Sequence, residues 1–201
     1  LPFPVSALTA ACPTRSGLLA GRTRRSTGTA ELGKRFCHKV FWNRHQLRSV
    51  CPDQRRLYHG RALAVALPRG AAQVTELLAF CNGQRIGVVP QGGNTGYCGG
   101  ATPDDSGEQI VVALSRLNRI RHLDPLNYSI VAEAGCLLAD IQRAAEEAQR
   151  FFPLSLGSEG TCQIGGNLST NAGGVHVLRY GMMRDLVLGV EVALADGRLL
   201  S

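Results

Sequence analysis

The chain of 201 residues is long enough for one sizeable domain, and its 44% hydrophobic content with a mean hydropathy of −0.01 predicts a globular core. No apolar run approaches the roughly 18 to 20 residues that a membrane span needs, so we expect no transmembrane segment. The net charge of +7 is uneven, because residues 1–55 carry ten Lys/Arg against two Asp/Glu, whereas residues 56–201 carry twelve against thirteen. The basic excess therefore lies outside the part with a core pattern, and we expect no nucleic-acid partner.

Residues 1–55 show no clear hydrophobic period, and turn-forming residues are spread through them. We expect a disordered or non-native extension here; a folded N-terminal element is an alternative. The segment is also rich in Arg, Ser and Thr and poor in acid, which is typical of a mitochondrial transit peptide. Because the chain begins with Leu1 and not with Met, we do not expect an intact translated start. The expected location is cytoplasmic, or mitochondrial if the basic segment is a transit segment.

The cysteines show no C-x-x-C spacing, which favours free thiols in a reducing compartment. They are Cys12, Cys37, Cys51, Cys81, Cys98, Cys136 and Cys162. Cys37, His38, His45 and Cys51 match no familiar zinc spacing, so no metal site is expected.

The pattern becomes regular from about residue 61. The run "ALAVAL" (62–67) predicts a strand, residues 71–83 have the spacing of a helix that Gly83 can end, and "RIGVVP" (85–90) predicts a second strand that Pro90 stops. Strand, helix and strand within about 30 residues form a βαβ unit, so the two strands are expected to be parallel.

Further elements follow along the chain. Residues 109–114 and 129–135 are strand-like, and residues 137–149 repeat the helical spacing. Residues 186–201 predict a strand, an Asp196-Gly197 turn and the start of a returning strand. Since the sequence stops in mid-hairpin, we expect a fragment of a longer domain.

Half of the 24 glycines lie in residues 86–100 and 157–174. No Lys or Arg occurs in residues 86–115 or 151–178, so the lysine of a Walker loop is missing, and a G-x-G-x-x-G pattern is missing as well. Glycine-rich loops can present successive backbone N–H groups to an anion, which favours a cradle for the diphosphate of a dinucleotide. Tight turns without a ligand are the alternative. Hydroxyl groups expected to add to the cradle belong to Thr95, Ser158, Thr161, Ser169 and Thr170.

Within the second glycine region, Gly165 and Gly166 precede a short potential helix at 167–172, which Gly173 and the next glycine can close. Helix N-termini favour phosphate. Asn167 and Asn171 can bind a flavin or ribose edge, or can cap the helix.

Three stretches carry a family resemblance: "VVPQGGNTGYCGGATP" (88–103), "FFPLSLGSEGTCQIGGNLSTNAGG" (151–174) and "LRYGMMRDLVLGVEVALADG" (178–197). They resemble the FAD-binding domain of the 2-hydroxy-acid dehydrogenases in the vanillyl-alcohol-oxidase (PCMH-type) flavoprotein superfamily, which includes the D-2-hydroxyglutarate and D-lactate dehydrogenase group. The resemblance runs from about residue 58 to 201 and does not include residues 1–55. It implies an α+β fold of two α/β subdomains, C-terminally incomplete, with the domain at 56–201 divided into about 56–125 and 126–201.

The resemblance also implies which residues hold FAD. The first glycine loop would bind the pyrophosphate, and the second region would surround the ribityl chain and the isoalloxazine. The residues carried over are Pro90, Gly92, Gly93, Asn94, Thr95, Gly96, Pro153, Gly157, Ser158, Thr161, Gly165, Gly166, Ser169, Asn171 and Gly173. Members with covalent flavin often have histidine after the paired glycines of the first loop. Asn94 stands there in this chain, so FAD is expected to be noncovalent; Cys98 and His176 are disfavoured as other attachment points.

The activity implied by the resemblance is oxidation of a D-2-hydroxy acid (2-hydroxyglutarate, lactate or glycolate type) to the 2-oxo acid by hydride transfer to FAD. The family's substrate and metal residues lie in a C-terminal half that these residues do not include, so no catalytic and no metal residue is assigned. His122, Arg179, Tyr180 and Arg184 stay unassigned. We expect this chain alone to be inactive. The full-length protein is expected to bind a small-molecule hydroxy acid and can be a homodimer. The alternative is a remnant or binding module that holds FAD weakly or not at all.

Overall fold

A computed structural model describes residues 5–10, 36, 41–42 and 51–201 of the chain. Its strands are β1 (Val5–Ala10), β2 (Phe41–Trp42), β3 (Ala62–Leu67), β4 (Gly87–Gln91), β5 (Gln109–Ala113), β6 (Ile120–Asp124), β7 (Ser129–Ala132), β8 (Gly189–Ala193) and β9 (Leu199–Leu200). Its helices are α1 (Ala71–Gln84), α2 (Leu138–Glu147), α3 (Ile164–Ser169) and α4 (Val177–Tyr180), followed by a 3-10 turn at Met183–Leu186. None of the described helices is long and apolar enough to cross a membrane.

The first sheet has the strand order β2-β3-β5-β4. The strands β3 and β4 both pair with β5 in parallel, which confirms the predicted parallel direction and places β5 between them. Because β5 is buried on both faces, its sequence is a continuous apolar run. Helix α1 covers one face, where Leu77 and Ile110 are fully buried. A smaller apolar cluster with Val65 and Val111 covers the other face.

The second sheet has the order β6-β7-β1-β8-β9. The strand β1 is parallel to both of its neighbours, whereas β6–β7 and β8–β9 are antiparallel pairs. Helices α2 and α3 and the 3-10 turn contribute to its core, in which Ile130, Leu138, Ile141, Ile164 and Met183 have almost no exposed surface. The described residues therefore form two sheets that are in contact, because the core cluster around α1 includes Ala193 of β8 and Ala134, which follows β7.

Several predicted boundaries were wrong. Helix α1 runs past Gly83 to Gln84, and Arg85 takes the left-handed conformation that ends it, with φ of 55°. The strand β6 was not predicted, because its residues "IRHLD" are polar and half-exposed, and only its pairing with β7 defines it. The short helix predicted at 167–172 instead begins at Ile164 and ends at Ser169.

The segment 1–55 contains β1 and β2. At residues 5–10 and 41–42 the structure therefore agrees with the alternative expectation, a folded N-terminal element. Most of the remaining segment, with Cys12 and Cys37, lies outside the described residues, so the domain boundary at residue 56 stays a prediction. The described cysteines at positions 51, 81, 98, 136 and 162 are free thiols.

Candidate cofactor-binding site

The first glycine loop leaves the end of β4 and is closed at its base by Gln91. The Nε2 group of Gln91 donates to the carbonyl of Ala101 at 2.8 Å, and its backbone oxygen accepts from the Leu114 N–H at 3.0 Å. Asn94 has φ of 52°, and its Nδ2 donates to the Pro52 carbonyl at 2.8 Å. The loop is therefore anchored to β4, β5 and the segment before β3, and the Asn94 amide is used by the protein itself.

Within this anchored loop, the backbone N–H groups of residues 92–101 donate to no acceptor in the part of the chain that the structure describes. The next N–H, that of Thr102, donates to the Gly99 carbonyl at 3.0 Å. Unpaired N–H groups carry positive partial charge, and successive groups of this kind can bind anions. This loop therefore has the donors that the predicted diphosphate cradle needs.

A cation that the local sequence did not show lies beside this loop. The Arg55 guanidinium carbon is 3.8 Å from the centroid of the Tyr97 ring. The buried Asp53 carboxylate accepts from the backbone N–H of Tyr58 at 2.9 Å and of Arg55 at 3.3 Å, and thereby fixes the turn that carries Arg55. The hydrogen bond from Tyr58 contributes most to lowering the pKa of Asp53.

The second glycine region packs directly on the first loop. A Cβ atom placed on Gly93 would lie 2.0 Å from the Thr161 carbonyl oxygen, and one on Gly92 would lie 3.3 Å from Gln163 Oε1. The absence of a side chain at Gly93 is therefore required for the two regions to meet. By contrast, a Cβ on Gly96 or Gly157 would meet no atom within 4 Å.

A turn after β7 supports the second region from behind. The N–H groups of Ile164 and Gly165 donate to the carbonyls of Cys136 and Ala134, both at 2.9 Å. A Cβ on Gly165 would lie 2.6 Å from the Ala134 Cβ, so the backbones approach closely here.

The Glu133 carboxylate, fully buried, holds this supporting turn. Its Oε2 accepts from the Arg119 N–H at 3.0 Å, and its Oε1 accepts from Arg119 Nη2 at 3.0 Å and from Arg121 Nε at 3.3 Å. Burial by itself raises the pKa of this carboxyl, but the hydrogen bonds and charge of Arg119, together with Arg121, outweigh burial and hold the pKa below its usual range. The carboxylate is therefore ionised and paired.

Three of the hydroxyl groups expected in the cradle are used inside the protein. Ser169 Oγ donates to the Gly165 carbonyl at 2.7 Å, Thr170 Oγ1 to the Gly166 carbonyl at 2.9 Å, and Thr161 Oγ1 to the Ser158 carbonyl at 3.2 Å. A hydroxyl has one proton, so none of these can also donate to a phosphate without giving up its present bond.

The two asparagines near α3 have structural partners, and neither caps its N-terminus. The N-cap position is Gln163, without a side-chain cap bond. Asn167 is buried, and its Nδ2 lies 3.5 Å from Cys162 Sγ. Asn171 has φ of 50°, and its Oδ1 accepts from the Arg184 N–H at 3.0 Å.

His176 and two of the residues left unassigned, Arg179 and Tyr180, lie close together near Pro153, whereas His122 lies on β6. His176 Nδ1 is 3.0 Å from the Pro153 carbonyl oxygen, and the ring packs against Phe151 and Tyr180. Arg179 lies over the Tyr180 ring. These contacts account for His176 and Tyr180 as structural groups.

The predicted site residues differ in exposure. Pro153 and Gly165 are buried; Pro90, Gly92, Gly93, Asn94, Thr95, Ser158, Asn171 and Gly173 are half-buried; and Gly96, Gly157, Thr161, Gly166 and Ser169 are exposed. The structure brings Gly92 and Gly93 against Thr161. Whether the whole set binds a ligand stays a prediction.

Two buried side-chain atoms lack a hydrogen-bond partner in the described part of the chain, Thr102 Oγ1 and Gln163 Oε1. Thr102 directly follows the unpaired N–H groups in sequence, and the Gln163 side chain lies beside Gly92. Unpaired buried polar atoms are rare, and a bound group is one explanation for them. Sequence reasoning missed Gln163, because nothing in "TCQIGG" shows that its side chain points toward a loop some 70 residues earlier.

Comparisons with known proteins agree with this geometry. The family described as FAD binding domain matches residues 62–201. A probable mitochondrial D-2-hydroxyglutarate dehydrogenase of Oryza sativa subsp. indica is 43% identical over 143 residues, which cover 71% of this chain and 25% of that protein. A mitochondrial D-2-hydroxyglutarate dehydrogenase of Danio rerio is 39% identical over 155 residues, which cover 77% and 29%. The chain thus spans less than a third of the length of these relatives.

The solved structure of a xylooligosaccharide oxidase from Myceliophthora thermophila superposes with a TM-score of 0.69 at 22% identity, covering 86% of this chain and 36% of that chain. This likeness, with the family match, confirms the predicted PCMH-type α+β fold and its incompleteness relative to those longer proteins.

Proposed function

Because the chain belongs to the FAD binding domain family, we propose that residues 56–201 bind FAD noncovalently as the cofactor-binding part of an oxidoreductase that acts on a D-2-hydroxy acid. The names of the relatives, D-2-hydroxyglutarate dehydrogenases, support the substrate class. Bound FAD supplies the hydride acceptor for oxidation of the substrate α-carbon. The chain's own residues bind and orient the cofactor.

One observation supports this proposal most strongly: the unpaired backbone N–H groups of residues 92–101. A dinucleotide diphosphate carries two negative charges and needs hydrogen-bond donors. This loop offers N–H donors that can bind it without breaking a hydrogen bond inside the protein. Arg55, stacked on Tyr97, adds a positive charge at the same loop. In the proposal the loop residues hold the diphosphate, and the region 153–173 surrounds the flavin end.

The proposed noncovalent binding is supported by the residue at the covalent position of the first loop. Asn94 has no nucleophilic atom there, and its amide is bonded to the Pro52 carbonyl. Denaturing the FAD-loaded chain in acid should release all flavin into the supernatant. Flavin that stays with the precipitated protein would contradict noncovalent binding and would direct attention to the exposed thiol of Cys98.

The alternative is a remnant or binding module that holds FAD weakly or not at all. We expect no turnover of D-2-hydroxyglutarate by the isolated chain with an artificial electron acceptor. The natural acceptor stays unassigned, and a homodimer is proposed only for a complete protein.

The relatives' names favour the mitochondrial alternative over the cytoplasmic location. We therefore propose that this protein acts in mitochondria. Fusing residues 1–55 to a fluorescent protein tests the basic segment as a targeting signal. A diffuse cytosolic signal would contradict that role.

Calorimetric titration of the purified 201-residue chain with FAD tests cofactor binding directly. Gly96→Ala adds a methyl group on the open side of the loop, so it should weaken FAD by about five- to a hundredfold without lowering the unfolding temperature. The control Gly83→Ala adds a methyl group in equally open space on α1 and should leave FAD affinity unchanged. Absence of FAD binding by the wild-type chain would refute FAD binding for this chain and favour the remnant.

A further inference from the structure

The Gln163 side chain is 6% exposed, and its Oε1 accepts no hydrogen bond from any residue in the described ranges. The buried carbonyl group is therefore separated from water without a compensating donor. Such a group carries the full cost of its lost hydration, so a donor that reaches it gains more than a donor at an exposed site. None of the residues predicted for the site explains this atom.

The position of Gln163 Oε1 connects it with the first glycine loop. It would lie 3.3 Å from a Cβ on Gly92, at the start of the run of unpaired N–H groups. A group that binds at the Gly92 end of this run would therefore start beside the Gln163 carbonyl.

The chemistry of an amide oxygen narrows what it can meet. An amide oxygen accepts hydrogen bonds and does not donate them, and phosphate oxygens at neutral pH are also acceptors, so the diphosphate itself cannot be the partner. In FAD the diphosphate joins two sugar-derived parts, the ribityl chain and the ribose, and both carry hydroxyl donors. The nearest donors to a diphosphate held by residues 92–101 are therefore these hydroxyl groups.

Building on the proposed FAD binding, we propose that Gln163 is a ligand-binding residue whose side-chain carbonyl accepts a hydrogen bond from a sugar hydroxyl adjoining the diphosphate of FAD. The residue adds a directional contact to a cradle that otherwise consists of backbone N–H groups. It is a binding residue and takes no part in bond making or breaking.

The variant Gln163→Met tests this role in the 201-residue chain, since methionine conserves volume and removes the acceptor. Without ligand, the unfolding temperature should stay equal or rise, because an unpaired buried acceptor is lost. The affinity for FAD should fall about tenfold. Titrations with FMN and with ADP assign the hydroxyl: weaker FMN binding indicates the ribityl side, and weaker ADP binding the ribose side.

The matched control is Gln73→Met. Gln73 Oε1 accepts from the Arg69 N–H at 2.8 Å, away from both glycine regions. This control should lower the unfolding temperature and leave FAD affinity unchanged, which is the reverse of the result expected for Gln163→Met.

Two results would overturn the role of Gln163 while leaving FAD binding intact. A lower unfolding temperature of ligand-free Gln163→Met would show that the oxygen is paired inside the protein. Unchanged FAD affinity of the variant would show that no ligand donor reaches it. If the wild-type chain binds no FAD, the proposed function is refuted, and so is the proposed partner of Gln163. The unfolding temperature of the ligand-free variant still decides whether Gln163 Oε1 is unpaired.

Discussion

Replacement of Gly93 by alanine is the most direct test of how the two glycine regions meet. The added Cβ would lie 2.0 Å from the Thr161 carbonyl oxygen, 2.9 Å from its carbonyl carbon and 3.0 Å from the Cys162 Cα. All three are main-chain atoms, so no side-chain rotation can relieve the contact, and about 1 Å of backbone separation is needed. Overpacking of this kind costs about 1–3 kcal/mol. For a chain of this size, that lowers the unfolding temperature by about 2–12 °C.

The assay is thermal unfolding of the ligand-free chain, followed by circular dichroism in the far ultraviolet. Gly96→Ala is the matched control, because it places the same methyl group in the same loop where no atom lies within 4 Å. Gly93→Ala should melt below both the wild type and this control. Coinciding transitions of all three proteins would refute the close packing of the first loop on Thr161.

The remaining predictions concern buried titratable groups. Glu133→Gln should lower the free energy of unfolding at neutral pH by about 1.5–3 kcal/mol, because it removes the charge that Arg119 bonds. The folded-state pKa of Glu133 is lowered, so its contribution is present above the unfolded value of about 4.3 and is lost as pH falls through the folded pKa. Urea unfolding at several pH values should show the gap between wild type and variant closing in acid; a constant gap contradicts the pairing. Burial raises the pKa of Cys81 to about 12 and that of Cys136 to about 11. Iodoacetamide should therefore modify the exposed thiol of Cys98 first, which mass spectrometry can measure. Equal labelling of all three cysteines would contradict the burial of Cys81 and Cys136.

The sequence predicted those features of the fold that depend on local pattern. The helix α1, the strands on either side of it and their parallel direction follow from hydrophobic spacing within residues 62–90. The position of β5 between β3 and β4 did not follow, because strand order is decided by contacts between distant residues. The polar strand β6 was missed for the same reason, since its pairing with β7 defines it.

The contacts that shape the candidate site are similarly distant in sequence. Pro52 accepts from Asn94, which is 42 residues away, and Arg55 stacks on Tyr97. A cation-free cradle was expected from the loops alone, and the described structure adds a guanidinium from outside them. Gln163 was missed as a candidate ligand contact for the same reason, because Gln163 and Gly92 are distant in sequence and adjacent only in the folded chain.

A glycine-rich run in this chain serves two purposes, and only the structure separates them. Gly93 and Gly165 are needed by the fold itself, since a side chain at either position would strike another part of the protein. Gly96 and Gly157 face open space, so the fold alone gives no reason for their lack of a side chain. A count of glycines alone is therefore a poor indicator of a ligand, because it adds the two kinds together. The proposed anion binding is supported instead by the second kind and by the unpaired N–H groups of residues 92–101, which the fold leaves without any acceptor among the described residues.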